Sequence, residues 1–285
     1  MKIVKFLGGL GNQMFQYAFY LALKQKFKKV KADLSGFEDY SLHNGFELER
    51  VFGIKIPLAS EYDIRIYRNE NQDFITRKIR QLKGVKRAYQ SENIFFGFES
   101  EIFKDPKPRY YWGYWQNYNY LIGIEDQLKN EFKFIEPLDN ENLILMEEIE
   151  SSDSISIHVR RGDYLKDPLL SGVSDLAYYE RAIESIRKKV SNPRFIVFSN
   201  DITWCKASLG LESAVYVDWN TGRDSFRDMQ LMSCCKHNIV SNSSFSWWAS
   251  WLNNFERKIV VSPKSWMNDS SYDYSGIIMK NWVQI

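Results

Sequence analysis

The sequence predicts an α/β protein whose sheets are mostly parallel and covered by helices on both faces. Three observations carry that prediction. The carboxyl-terminal half alternates short apolar strands with helical stretches. The amino terminus reads as a buried strand, a glycine turn and a helix. The polar clusters that look chemical fall just beyond strand ends, where open parallel sheets bind ligands.

Ile3 to Leu7 is the first expected strand; Gly8, Gly9 and Gly11 permit a tight turn, and Asn12 opens a helix with Met14, Tyr17, Ala18, Leu21 and Ala22 on one face. Glu61 to Pro108 is polar, basic and weakly periodic, and reads as an elaborated acceptor-side region. Tyr110 to Tyr120 is densely aromatic, and Glu136 to Ser154 is the expected connection between two domains, residues 1–150 and 151–285.

Beyond it, Ser154 to Arg160 alternates, with Ile155, Ile157 and Val159 on one face and Ser156, His158 and Arg160 on the other. Tyr179 to Val190 has helical spacing. Strands are then expected at Arg194–Ser199, Ala214–Val217, Asn238–Ser241 and Lys258–Ser262, with helices at Asp224–Cys235 and Ser244–Asn254.

Composition narrows the function. The 285 residues carry 38 basic and 36 acidic side chains, a net charge of +2, which disfavours a nucleic-acid partner. Aromatics make up 16% of the chain, which suits both sugar faces and ordinary cores. Three cysteines, Cys205, Cys234 and Cys235, form no disulfide framework, and no apolar run resembles a signal peptide or membrane span. A cytoplasmic protein is expected, with peripheral contact to a membrane-linked glycan at the inner membrane compatible with that reading.

Three clusters could carry chemistry. In His158-Val159-Arg160-Arg161-Gly162-Asp163-Tyr164, alternation puts His158 and Arg160 on one face at a strand end. A guanidinium binds phosphate in two-pronged fashion and keeps its charge, so Arg suits a diphosphate leaving group. Asp163 would fix the Arg fork or accept a proton; a surface ion-pair cluster is the competing reading. Ser241-Asn242-Ser243-Ser244-Phe245 follows a strand and starts an aromatic helix, whose free N–H groups and hydroxyls would hold an anion, unless it is only a helix cap. Gly8-Gly9-Leu10-Gly11-Asn12 departs from a dinucleotide fingerprint, because Met14 replaces the third glycine. It fits close backbone approach to a ligand with Asn12 projecting, or plain strand–helix packing. Ser199-Asn200-Asp201 marks a further strand end. No Asp-x-Asp pair stands at a strand end, and His43, His158 and His237 lack ligand spacing with the cysteines, so no metal is expected.

These clusters, in this order, resemble the α-1,2-fucosyltransferase family of bacterial glycosyltransferases. The family's Gly-Gly-Leu-Gly-Asn-Gln-Met-Phe-Gln-Tyr-Ala is present as Gly8 to Ala18, its His-x-Arg-Arg-Gly-Asp-Tyr as His158 to Tyr164, its Ser-Asn-Asp-x-x-Trp as Ser199 to Trp204, and its Ser-x-Ser-Ser-Phe-Ser-Trp-Trp as Ser241 to Trp248. Gly113-Tyr114-Trp115-Gln116 is similar as well.

The resemblance implies a GT-B-like fold, with two Rossmann-like domains facing across a cleft. It implies GDP-fucose as donor, a galactose-terminated oligosaccharide as acceptor, and inverting transfer to its 2-hydroxyl without metal or other cofactor. It makes Arg160, Asn12 and Asp163 the catalytic candidates, Arg160 on the β-phosphate and Asn12 near the transferred sugar. Asp163 or Asp167 is the candidate general base. Gly9, Gly11, His158, Arg161, Asn200, Asp218, Ser241, Asn242, Ser243, Ser244 and Phe245 are the donor-binding candidates. By its place just past the strand at Ala214–Val217, Asp218 is expected to accept from guanine N1–H and N2–H₂, unless it is only a surface acid. A transferase for another nucleotide sugar, or a sugar-nucleotide binder without turnover, are the alternatives.

Overall fold

The computed structural model describes residues 1–37, 44–68 and 73–285, so His43 lies outside the described residues. The chain divides into two units, Met1–Ile135 and Glu136–Ile285. In the first, β1 (Lys2–Lys5) is buried at every position and leads into α1 (Leu10–Lys26). Then come β2 (Val30–Asp33), α2 (Leu48–Phe52), α3 (Glu61–Tyr67), α4 (Phe74–Leu82), β3 (Tyr89–Ser91), β4 (Arg109–Trp112) and α5 (Glu125–Glu131). The strands form a parallel sheet in the order β2-β1-β4-β3, with Lys2 opposite both Val30 and Arg109.

The strand expected at Ile3 to Leu7 ends at Lys5, because the chain must turn at Gly8, whose φ is +77°. The helix starts at Leu10, two residues before Asn12: Gly9 is its cap, and the N–H groups of Asn12 and Gln13 donate to the Gly9 carbonyl at 2.9 and 3.1 Å. The aromatic segment is core. Trp115 stacks on Phe19 with ring centres 4.2 Å apart, and Tyr111 and Tyr120 meet Phe19 edge-on.

The weakly periodic region contains real elements. Ser60 and Asp73 cap α3 and α4 by accepting N–H bonds from Asp63 and Thr76. Ile66, Val85, Ala88 and Tyr110 then close a small core over Ile3.

The second unit runs α6 (Asn140–Ser151), β5 (Asp153–Val159), α7 (Leu176–Arg187), β6 (Pro193–Ser199), α8 (Ile202–Ser208), β7 (Val215–Val217), α9 (Phe226–Cys234), β8 (His237–Ile239), α10 (Ser244–Leu252), β9 (Val260–Ser262) and β10 (Val283–Gln284). The domain boundary expected at 150/151 falls instead at 135/136. The reason is packing: α6 buries Leu145 and Ile149 and lies against β5 and α9, so it belongs with the second sheet.

That parallel sheet has the order β10-β9-β8-β5-β6-β7. Chain order therefore runs outward from β5 in one direction through β6 and β7, then in the other through β8, β9 and β10. The switch lies between β5 and β8. Ile155, Ile157 and Val159 pack on Tyr178, Tyr179, Ala182, Ile183 and Ile186 of α7. The opposite face of β5 is polar yet also buried. Ser156 Oγ accepts from Asn238 Nδ2 at 2.7 Å, and Ser154 Oγ donates to the Ile149 carbonyl at 3.0 Å. The alternation thus separates apolar from polar rather than inside from outside.

Candidate active site

At the carboxyl ends of β5 and β8 the second unit gathers two of the motif clusters. His158, the penultimate residue of β5, is 5% exposed, and its Nδ1 lies 2.9 Å from Ser241 Oγ, just past β8. The Tyr179 hydroxyl donates to the His158 carbonyl at 3.0 Å, and the Phe245 ring lies 5.6 Å from the imidazole, centre to centre. Burial, with a smaller push from Arg160, lowers the His158 pKa to about 3. Its imidazole is neutral near pH 7 and acts as a hydrogen-bonding group rather than a cation.

Arg160 leaves β5 half-buried, and its Nη2 donates to Asp163 Oδ2 at 2.9 Å. The guanidinium also lies over the Tyr164 ring, 5.6 Å from its centre. Arg161 turns the other way. Its Nε donates to Asp201 at 3.2 Å, its guanidinium covers Trp204 at 4.0 Å, and its backbone N–H donates to Asn200 Oδ1 at 2.9 Å. Trp204 is a partner that cluster reading alone did not single out, although it ends the Ser199 to Trp204 motif.

On the β8 side, Ser243 caps α10: its Oγ accepts the Phe245 N–H at 3.4 Å. Ser244 and Phe245 follow as the first, half-buried residues of the helix. Asn242 requires a correction, because it faces inward. It is 2% exposed, its Nδ2 donates to the Leu170 and Trp266 carbonyls, and its Oδ1 accepts from Ser174. Its side chain braces the loop that carries Tyr164 instead of presenting a donor to a ligand. Asp218 is one residue past β7, but its carboxylate pairs with Lys206 at 3.0 Å and is about half exposed. Asp167 accepts the Leu169 N–H at 2.9 Å, closing its own turn.

In the first unit, Gly8, Gly9 and Gly11 place Asn12 in the first turn of α1. Gly8 is held at φ +77°, a conformation that favours glycine, and a β-carbon there would stand 2.5 Å from Asn12 Nδ2 and push the amide aside. Asn12 Oδ1 accepts from Gln116 Nε2 at 2.7 Å. Gln13 and Gln16 are buried, and both hold backbone: Gln13 joins Gly8, Gly45 and Glu47, and Gln16 joins Leu7 and Gly113. Glu92, half-buried past β3, accepts the N–H groups of Tyr114 and Trp115. Sequence reasoning missed it, since a lone acid in a polar run has no periodic signature; its partners lie in the Gly113–Gln116 segment, which was noted only for its resemblance to the family. Among the described residues no group of three His, Cys, Asp or Glu side chains could hold a metal ion. None of their helices is long and apolar enough to cross a membrane.

The model of glycosyl transferase family 11 matches residues 1–285. The chain belongs to that family. It is 31% identical to an alpha-1,2-colitosyltransferase of Escherichia coli, covering 99% of this chain and 98% of that protein. It is 35% identical to the O-antigen biosynthesis glycosyltransferase WbnK of Escherichia coli, covering 98% of each. It is 25% identical to galactoside alpha-(1,2)-fucosyltransferase 2 of Mus musculus, over 86% of this chain and 66% of that protein. Among solved structures, the fucosyltransferase NodZ from Bradyrhizobium aligns with a TM-score of 0.51 at 16% identity, covering 95% of each chain. The fold of this family 11 glycosyltransferase is thus the GT-B-like α/β fold expected from its motifs, with one parallel sheet in each unit.

Proposed function

We propose that this family 11 enzyme transfers L-fucose from GDP-fucose to the 2-hydroxyl of a galactoside, with inversion at the anomeric carbon and without a metal ion. The observation that carries the reading is the meeting of the His158–Asp163 turn with the Ser241–Phe245 helix start at the switch point between β5 and β8. Such a crevice offers a helix amino terminus, hydroxyls and a guanidinium to one diphosphate. Bond cleavage moves charge onto GDP, and Arg160 is assigned to stabilise it. His158 and Ser241 hold the pocket wall, Arg161 and Asn200 fix the turn, and Asn12 is assigned to the transferred sugar. Asp218 remains the proposed guanine acceptor, a role that requires it to exchange Lys206 for the base.

The names of the relatives favour a second donor as well, because one of them is a colitosyltransferase. A donor panel that includes GDP-fucose and GDP-colitose, offered with lactose, N-acetyllactosamine and a Galβ1,3-linked acceptor, tests the reading. Fucosylation of a galactoside that persists in excess chelator is the expected result. Transfer from another nucleotide sugar alone, or GDP binding with no transfer, overturns it.

A further inference from the structure

In the first unit, β1, β4 and β3 are neighbours in the sheet, and the segments leaving their carboxyl ends are tied together. Gly8–Asn12 follows β1, Gly113–Gln116 follows β4, and Glu92 follows β3 directly. Glu92 Oε2 accepts the Tyr114 N–H at 2.8 Å and the Trp115 N–H at 3.2 Å. Gln116 then donates to Asn12 Oδ1 at 2.7 Å, and Gln16 holds the Gly113 carbonyl at 3.2 Å. A β-carbon on Gly113 would stand 2.6 Å from Glu92 Cβ and 2.8 Å from Oε2, so this closeness depends on glycine. Trp115 sits in the turn at φ +56°. The carboxylate is therefore fixed in orientation at the carboxyl-terminal edge of its sheet, and the Gly113–Gln116 segment it holds is the one that orients Asn12, the residue assigned to the transferred sugar.

One oxygen remains for chemistry. Both N–H bonds go to Oε2, and Oε1 has no hydrogen bond among the described residues. Among the described residues no cation pairs with Glu92, whereas Asp163 is paired with Arg160 and faces Asn200, and Asp167 closes a turn. An acid bound to a guanidinium is a weak proton acceptor; a half-buried, cation-free one is a better one.

We propose that Glu92 is the general base that takes the proton from the acceptor hydroxyl. The inference rests on the transfer reaction proposed above. As the hydroxyl oxygen attacks the anomeric carbon, its proton passes to Glu92 Oε1. The oxygen's electron pair forms the new glycosidic bond, and the bond to the diphosphate oxygen breaks with its pair leaving on GDP. Burial, opposed by the two N–H bonds and reinforced by the Glu99 carboxylate, pushes the Glu92 carboxyl up to about 7. Among the described residues the Tyr120 phenol also feels the Glu92 charge, and burial keeps it protonated. Such a group would be about half ionised at neutral pH and more basic than an ordinary carboxylate.

The test compares wild type, Glu92→Gln, Glu92→Ala and Asp163→Asn for kcat/KM against pH, with GDP affinity and melting temperature on the same preparations. The wild-type rate should climb through about pH 7. Glu92→Gln keeps an oxygen for the two N–H bonds but cannot take a proton. It should lose roughly 10²–10⁴ in turnover, flatten that limb and leave GDP affinity intact. Formate should partly restore Glu92→Ala, and if that variant fails to fold, Glu92→Gln decides alone. Near wild-type turnover and an unchanged limb in Glu92→Gln would show that Glu92 only holds the turn. Loss of the limb in Asp163→Asn alone overturns the proposal in favour of Asp163. A wild-type protein inactive with the whole donor panel overturns the transfer reading itself, and this assignment with it.

Discussion

Asn200 occupies the space that a side chain on Gly162 would need: a β-carbon there would stand 2.4 Å from Asn200 Nδ2. The same Asn200 accepts the Arg161 N–H at 2.9 Å and reaches toward Asp163 Oδ1 at 3.4 Å. Missing volume at one residue thus fixes the turn that carries both arginines, and it joins the strand ends of β5 and β6. Because these strands run in register from Asp153 opposite Pro193 to Val159 opposite Ser199, the turn and Asn200 arrive side by side.

Gly162→Ala should displace Asn200 rather than the backbone, since the obstructing atom is the far end of an exposed side chain. Stability should change by less than about 1 kcal/mol, as for other surface changes that can relax. GDP affinity should fall several-fold, and Asn200→Ala should reproduce the loss. The double variant should be no worse than either single one, because both remove the same contact. Calorimetric titration of the three variants with GDP checks this; additive losses would mean that Gly162 and Asn200 act separately.

A parallel test applies to Asn12, whose Oδ1 is held by Gln116. Asn12→Ala should lower kcat more than it weakens GDP binding, because its assigned partner is the transferred sugar. Gln116→Ala should move kcat in the same direction by a smaller factor, since it removes only the group that orients Asn12. Single-turnover rates beside GDP affinities are the measurement. An effect confined to GDP affinity would place Asn12 away from the reacting centre.

The pattern of what the sequence disclosed has physical causes. In the second unit, parallel strands buried on both faces and amphipathic helices write their periods into the chain, so β5, β6, α9 and α10 were legible. The first unit was harder to read: α1 is buried on nearly all sides, and α3 and α4 rest on caps rather than on long apolar stripes. The domain boundary was misplaced because α6 follows a proline-containing acidic segment that reads as a linker. At the site, the motifs identified which residues gather, but orientation is a tertiary property. His158 and Ser241 meet across 83 positions only because β5 and β8 are neighbours, while Asn242, between Ser241 and Ser243, turns to the opposite side.

Two titratable groups, buried His158 and half-buried Asp228, set opposite limits on stability with pH. His158 is held near pKa 3, below its usual 6.5, so the folded state resists protonation that the unfolded chain accepts. Its contribution is complete above about pH 6.5 and is lost as pH falls toward 3. Asp228, held by Asn220 Nδ2 at 2.9 Å, is pushed by burial from 3.8 to about 8. Its contribution is present below about pH 4 and is lost as pH rises toward 8. Urea midpoints measured across that range should therefore decline less toward alkaline pH in Asp228→Asn, and less toward acid in His158→Asn, than in wild type. Parallel curves for wild type and a variant would remove that group from the balance.

Arg160 is the side chain on which the proposed chemistry depends most. If it stabilises the departing diphosphate, it meets more charge in the transition state than in the bound donor. Arg160→Ala should then cost roughly 10²–10³ in kcat, the range for a lost charge-stabilising donor, and weaken GDP binding besides. Arg160→Lys should restore little, because a compact ammonium cannot reproduce a planar two-pronged contact. The rival role is structural, through the pair with Asp163 at 2.9 Å. That pair is partly open to solvent on both sides, and such pairs contribute about 0–1 kcal/mol, so a structural Arg160 would show only a small loss of melting temperature. Asp163→Asn separates the roles further: it removes the same ion pair but leaves the guanidinium, so GDP affinity should hold or rise. Melting temperature and single-turnover rate measured together on these variants settle the assignment. A folded Arg160→Ala enzyme that turns over near the wild-type rate would refute it.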